Sequence, residues 1–185
     1  MKGWVTALAI GLGGLLGCSP SPASGGSAGQ LDVRWTGSEQ GGLSTRATAE
    51  WCGVLRLLEI HGIRGDTGVA LAIYVADTVK AGEFPVIDPV KAESLPPAAA
   101  LALRWASRTS IIGFQAESGL VVLEQSRPTG LSGRISAAAR SVTDTQRISV
   151  EGEFRELTIR PQTRGCAPRP KAAGDDAQPR DTQLH

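Results

Sequence analysis

The chain has 185 residues, with 19 lysines and arginines against 18 aspartates and glutamates. That balance lacks the basic excess or stripe of a nucleic-acid binder, and no polybasic segment offers itself to an anionic membrane. Length allows one domain with a single core.

Lys2 is the only charge before Cys18, and Trp4 to Leu16 is almost wholly apolar or glycine. A basic start, a short apolar run and small residues at its end describe a secretory signal peptide over 1–17. The run is too short for a membrane-spanning helix, which needs about 20 apolar residues. Its last residues, Leu15-Leu16-Gly17-Cys18, resemble the lipobox of bacterial lipoproteins. The resemblance covers residues 1–18 alone. It implies diacylglyceryl transfer to the Cys18 sulfur, cleavage after Gly17 and acylation of the new amino group. Leu16 is larger than the residue usual at its position. Two or three acyl chains hold firmly where one is marginal, because each buried methylene adds about 0.8 kcal/mol. Ser19 after the cysteine resembles an outer-membrane sorting signal. The expected location is therefore the cell envelope, lipid-anchored, at the outer membrane and facing the periplasm or the cell surface.

Residues 18–30 then read as the lipidated cysteine and a flexible tether of small residues, proline and Gln30. Residues 167–185 carry no large apolar side chain except Leu184 and read as a disordered tail. Between them, 31–166 is the expected β domain, with 15 basic and 15 acidic residues. With Cys18 lipidated, Cys52 and Cys166 remain, and an even pair in an oxidising compartment is expected to form a disulfide.

The domain shows period-two alternation almost throughout. Leu31, Val33 and Trp35 alternate with Asp32, Arg34 and Thr36. Gly37 to Ser44 reads as a loop, followed by Ala47, Ala49 and Trp51 on one face. From Val54 to His61 the phase shifts between Leu55–Leu57 and Leu58–Ile60. Glycines at 53 and 62 bracket too few residues for a helix, so a bulged strand is expected. Gly62 to Thr67 reads as a turn, and Val69, Leu71, Ile73 and Val75 as one strand face. A short extended piece spans Phe84 to Ile87, and a proline-rich connection runs from Asp88 to Pro97. Leu101, Leu103 and Trp105 form the next strand. Ile112, Phe114 and Ala116 follow, with a turn at Glu117-Ser118-Gly119 into Leu120–Glu124.

In the last hairpin, Leu131, Ile135, Ala137 and Ala139 face inward, as do Ile148, Val150 and Phe154 after a turn at Asp144-Thr145. The expected register sets Ile135 against Phe154 and Arg140 against Ser149. A bulge near Arg155 brings Leu157 and Ile159 inward. About nine short strands with regular turns predict an all-β fold, an antiparallel β-sandwich, with a closed β-barrel as the alternative.

Reactive constellations are sparse. His61 is the only histidine before the tail, and one such residue at a strand end does not make a Ser-His-Asp site. No cluster carries zinc-ligand spacing, and no glycine-rich loop follows a strand to hold phosphate. Glu151 and Glu153 share a face about 7 Å apart, a glycosidase-like separation. Arg134 and Arg155 share that face, so a salt-bridged surface is expected. Arg64-Gly65-Asp66 spells an integrin-type tripeptide but reads as ordinary turn chemistry. No catalytic residue, cofactor or metal site is assigned. The expectation is a membrane-tethered lipoprotein that binds or scaffolds an envelope protein without catalysis. A carrier of a small apolar ligand and, below it, a hydrolase built on acidic residues are the alternatives.

Overall fold

A computed structural model describes residues 29–125, 130–163 and 165–166. The expected signal peptide, Cys18, most of the tether and the tail lie outside the described residues.

Alternation carries the architecture. β1 (Gly29–Gly37) buries Leu31, Val33 and Trp35 and turns Asp32 and Arg34 outward. It pairs antiparallel with β2 (Gly41–Cys52) on one side and with β9 (Arg147–Leu157) on the other. A strand with two partners at both limits of the chain closes the sheet on itself. The fold is a closed nine-strand barrel rather than the favoured sandwich. Closure leaves no long open edge for another chain to extend.

From β2 the sheet continues through β3 (Leu57–Arg64), β4 (Thr67–Tyr74) and β6 (Ala98–Ala106) to β7 (Ile111–Gln125) and β8 (Leu131–Ser141), which returns to β9. β5 (Gly82–Val86) is a wedge. It lies parallel to β6 at Val86–Ala99 and antiparallel to the lower half of β7. The one helix among the described residues, α1 (Pro89–Ala92), starts from Asp88, whose carboxylate accepts the Val90 N–H. Ala92 then packs outside the barrel with Ala98 and Ala100.

Several local expectations change in register or type. The first loop is only residues 38–40, so Leu43 is an inward β2 residue. The phase shift after Val54 comes from a turn at residues 53–56, not from a bulge. Arg56 takes φ 50° there, and β2 and β3 pair without interruption from Cys52–Leu57 to Ala47–Gly62. β3 runs on to Arg64, and only Gly65 and Asp66 turn. The segment Glu117-Ser118-Gly119 is a bulge inside the single strand β7, because β8 pairs continuously with residues on both sides of it. The extra residue switches the inward set from Phe114 and Ala116 to Val121 and Leu123.

In the last hairpin the pairs are Gly133–Phe154 and Arg140–Arg147, two residues away from the expected register. A shift of two keeps every side chain on its face. The cause is the longer connection, closed by the Ser141 N–H on the Gln146 carbonyl at 2.9 Å. The bulge near Arg155 is present, with Glu156 at φ 56°, and it buries Leu157. Ile159 is not inward. It belongs to β10 (Ile159–Pro161), which lies parallel to the end of β2, where β1 no longer reaches.

The interior is filled. Phe114, Phe154, Leu31, Leu58, Ile60, Leu71, Ile73, Leu101 and Ile135 are essentially inaccessible. Glycine makes room where rings cross the lumen. A Cβ at Gly133 would stand 2.5 Å from Phe154 Cζ, and one at Gly41 would stand 2.5 Å from the Trp35 indole. Trp35, Trp105 and Phe114 stack across the barrel with centroids 4.9 and 5.2 Å apart. β1 and β6 lie on opposite sides of the barrel, so this stack closes the end that carries the turns at 38–40, 65–66 and 107–110 (the upper end). At the lower end, Cys52 and Cys166 form the expected disulfide, with Cα atoms 5.4 Å apart. It ties the chain beyond β10 to the end of β2.

Candidate functional site

Outward-facing residues of β1, β2, β8 and β9, with Arg64 from the end of β3, line a polar groove of about 750 Å³ on the barrel wall. Gly42 faces the groove without a side chain, and the Gly152 backbone lines its floor while the position of its missing side chain faces the lumen, 2.9 Å from Val33 Cγ2. Gly152 is fixed by packing, since a Cβ there would stand 2.8 Å from the Asp32 carbonyl oxygen. Around that floor stand Asp32, Arg34, Ser44, Arg64, Arg134, Glu151, Glu153 and Arg155.

The charges are largely spoken for. Asp32 faces Glu153 directly across β1 and β9, a repulsive pairing by itself. Arg155 resolves it, with Nη2 3.2 Å from Asp32 Oδ2 and 3.0 Å from Glu153 Oε1. Gln30 Nε2 donates to Ser44 Oγ at 2.9 Å and to Asp32 Oδ1 at 3.3 Å. The Ser44 hydroxyl above all, then Gln30 and Arg155, hold the Asp32 carboxyl below its ordinary 3.8 against the opposing effect of partial burial. An acid held ionised is the reverse of what a general acid requires.

Glu151 and Glu153 do share a face, as the alternation implies, but each has its own partner. Ser136 Oγ donates to Glu151 Oε1 at 2.7 Å, and Glu153 pairs with Arg155. Arg134 lines the same groove but forms its ion pair with Glu124 of β7 at 2.9 Å. Arg155 is thus the expected partner and Arg134 is not. Arg64 also bends away from any display role, because its guanidinium donates to the Ser44 carbonyl at 3.1 Å. The Arg64-Gly65-Asp66 tripeptide is the tip of a tight hairpin, with Gly65 at φ 59°.

His61 sits on the outer face of β3, with Nε2 3.7 Å from Glu59 Oε2. Its cross-strand neighbours are Thr48 and Ala70. The shallow groove beside it is lined by Ile63, Gly68, Val69, Ala70, Ala102, Leu103 and Arg104, which supply neither hydroxyl nor carboxylate. Among the described residues no group of three or more His, Cys, Asp or Glu side chains could hold a metal ion.

Comparison with known proteins finds no matching family model, no curated relative and no similar solved structure.

The sequence pattern makes only part of the groove legible. Glu151, Glu153 and Arg155 follow from alternation on β9. The local sequence does not link Gln30, Asp32, Ser44 and Arg64 to them, because Gly37 to Ser44 has loop composition although β2 begins at Gly41. The hairpin turn at 38–40 sets Asp32 opposite Ser44, and the pairing of β1 with β9 joins that pair to Glu151, Glu153 and Arg155.

Proposed function

We propose that this chain is a membrane-tethered lipoprotein of the bacterial cell envelope, acylated at Cys18, that works as a non-catalytic binding or scaffold module. The lipobox resemblance at Leu15–Cys18 supports the tether. The observation that carries the module reading is the filled, closed barrel, which leaves only its outer wall for function. On that wall the polar groove presents Asp32 and Glu153 compensated by Arg155, and Glu151 held by Ser136, an arrangement suited to recognition rather than proton transfer. A small-ligand carrier needs a hollow interior, and Phe114 and Phe154 occupy that space here. The partner is an envelope protein met in two dimensions, where confinement raises effective concentration without strong intrinsic affinity. Outer-membrane residence, facing the periplasm or the surface, is part of the proposal.

The test has two arms. Intact mass of the membrane-extracted protein should begin at Cys18 and carry acyl chains, and Cys18→Ser should release it from the membrane. A photo-crosslinker in place of Arg34 in the groove should trap one envelope protein in cells, and the purified chain should turn over no ester, peptide, phosphate or glycoside substrate. Turnover abolished by Glu151→Gln or Glu153→Gln would replace the binding reading with a hydrolase.

A further inference from the structure

The ends of the chain give the barrel a direction. β1 starts at Gly29 at the lower end, and the chain beyond β10 returns to that end at Cys166, bonded to Cys52. Cys18 lies eleven residues before Gly29, so even a fully extended connection reaches at most about 40 Å. If Cys18 is acylated, the lower rim is the part of the domain held nearest the lipid.

Both ends expose large apolar side chains, Ile63, Ile111 and Val142 at the upper end and Val54 and Leu95 at this rim, so it is the entry of the chain at the lower end that singles out the rim. Val54, in the turn after β2, is 62% exposed, and Leu95, in the segment entering β6, is 61% exposed. The two hang from one row of the sheet, since Cys52, Leu57, Tyr74 and Ala98 are successive cross-strand partners on β2, β3, β4 and β6. The turn holding Val54 is fixed to its neighbour. The Val75 N–H donates to the Arg56 carbonyl at 3.0 Å, and the Arg56 guanidinium donates to the Ala76 carbonyl. Among the described residues, the exposed charges nearby offset one another, Arg56, Lys80 and Lys91 against Asp77, Glu83 and Glu93. The rim therefore offers apolar contact without electrostatic attraction to anionic lipid.

We infer that this lower rim, at Val54 and Leu95, rests in the interfacial layer of the bilayer that holds the anchor. The inference rests on the lipoprotein reading and deepens it by giving the tethered barrel one orientation. Two side chains are too little surface to bind a membrane unaided. The acyl chains supply the affinity, and entry of the chain at the lower end brings this rim, rather than the apolar side chains of the upper end, to the lipid.

The test uses the full mature, acylated chain in vesicles of brominated phosphatidylcholine, whose acyl-chain bromines quench tryptophan. Val54→Trp and Leu95→Trp report from the rim. Ile111→Trp reports from the upper end, where Ile111 is 70% exposed. All three positions are exposed, and far-ultraviolet circular dichroism should match the parent. With the parent signal subtracted, quenching at 54 and 95 should be about threefold stronger than at 111, as for side chains seated roughly 5–10 Å into the headgroup boundary. It should not change when salt is raised or anionic lipid added. In the unsubstituted acylated chain, amide exchange across residues 53–56 should slow on vesicles relative to detergent.

An acylated chain quenched no more at 54 and 95 than at 111 overturns the orientation and leaves the lipoprotein reading standing. A mature chain without acyl mass overturns both. Rim positions that resist lipid quenching and crosslink to a protein instead would also overturn the inference.

Discussion

Reduction of Cys52–Cys166 is the perturbation whose size follows most directly from the fold. The bond joins residues 114 apart, so opening it releases almost the whole barrel sequence from a closed loop in the denatured state. In the chain-entropy model a loop of that length amounts to about 4.8 kcal/mol at 25 °C. For a domain of this size, roughly 1 kcal/mol moves the midpoint by about 3–5 °C, so the reduced protein should melt roughly 15–20 °C lower. Reduction is cleaner than substitution, because Cys52 is fully buried and a smaller side chain would add a cavity. The assay is thermal and urea unfolding of the oxidised and reduced forms, followed by far-ultraviolet circular dichroism. Trp51 fluorescence runs beside it as a local probe, since the Gln162 N–H donates to the Trp51 carbonyl at 2.9 Å. A fall of under about 5 °C with an unchanged urea slope would refute the reasoning. The reduced denatured chain would then retain enough structure to hold its ends together without the bond.

Two further outcomes are expected. Gly133→Val should abolish folding or cost more than about 3 kcal/mol, because even a Cβ there stands 2.3 Å from the Val122 carbonyl oxygen and 2.5 Å from the Phe154 ring; near-normal yield and urea midpoint would show that β7 and β8 can part at that level. Asp32 has a folded pKa below 3.8, so its small stabilising contribution is present above that value and lost as pH falls through the folded one. The stability difference between wild type and Asp32→Asn should therefore shrink between pH 5 and pH 2, with a full value of about 0.5 kcal/mol because the pair is partly exposed; a difference that is constant over that range would remove Asp32 from the groove's charge network.

Much of the barrel was legible because alternation was faithful. Leu31–Trp35, Val69–Val75 and Ile148–Phe154 face inward as their spacing requires. What alternation could not distinguish was a turn from a bulge. Both shift the phase by one, and Glu117-Ser118-Gly119 has turn composition although β7 runs straight through it. Only the cross-strand partner β8 reveals the difference, and a partner is a long-range fact. Sandwich against barrel was undecided for the same reason. Both bury one face of every strand, and the choice depends on whether β1 reaches β2 and β9 together. The groove inherits that limit. Its residues come from β1, β2, β3, β8 and β9, and their local sequences carry no sign that they share a floor at Gly42 and Gly152.

The double pairing of β1 also has a mechanical consequence. A load entering at Gly29 and opposed at the upper end pulls along the strand axis. The hydrogen bonds to β2 and β9 lie perpendicular to that axis, so both ladders are strained together in shear rather than opened one rung at a time. β10 holds the stretch of β2 beyond the end of β1, and the disulfide backs it, so the seam has no frayed strand from which peeling could begin. A barrel loaded at the start of β1 is thus pulled in its most resistant direction.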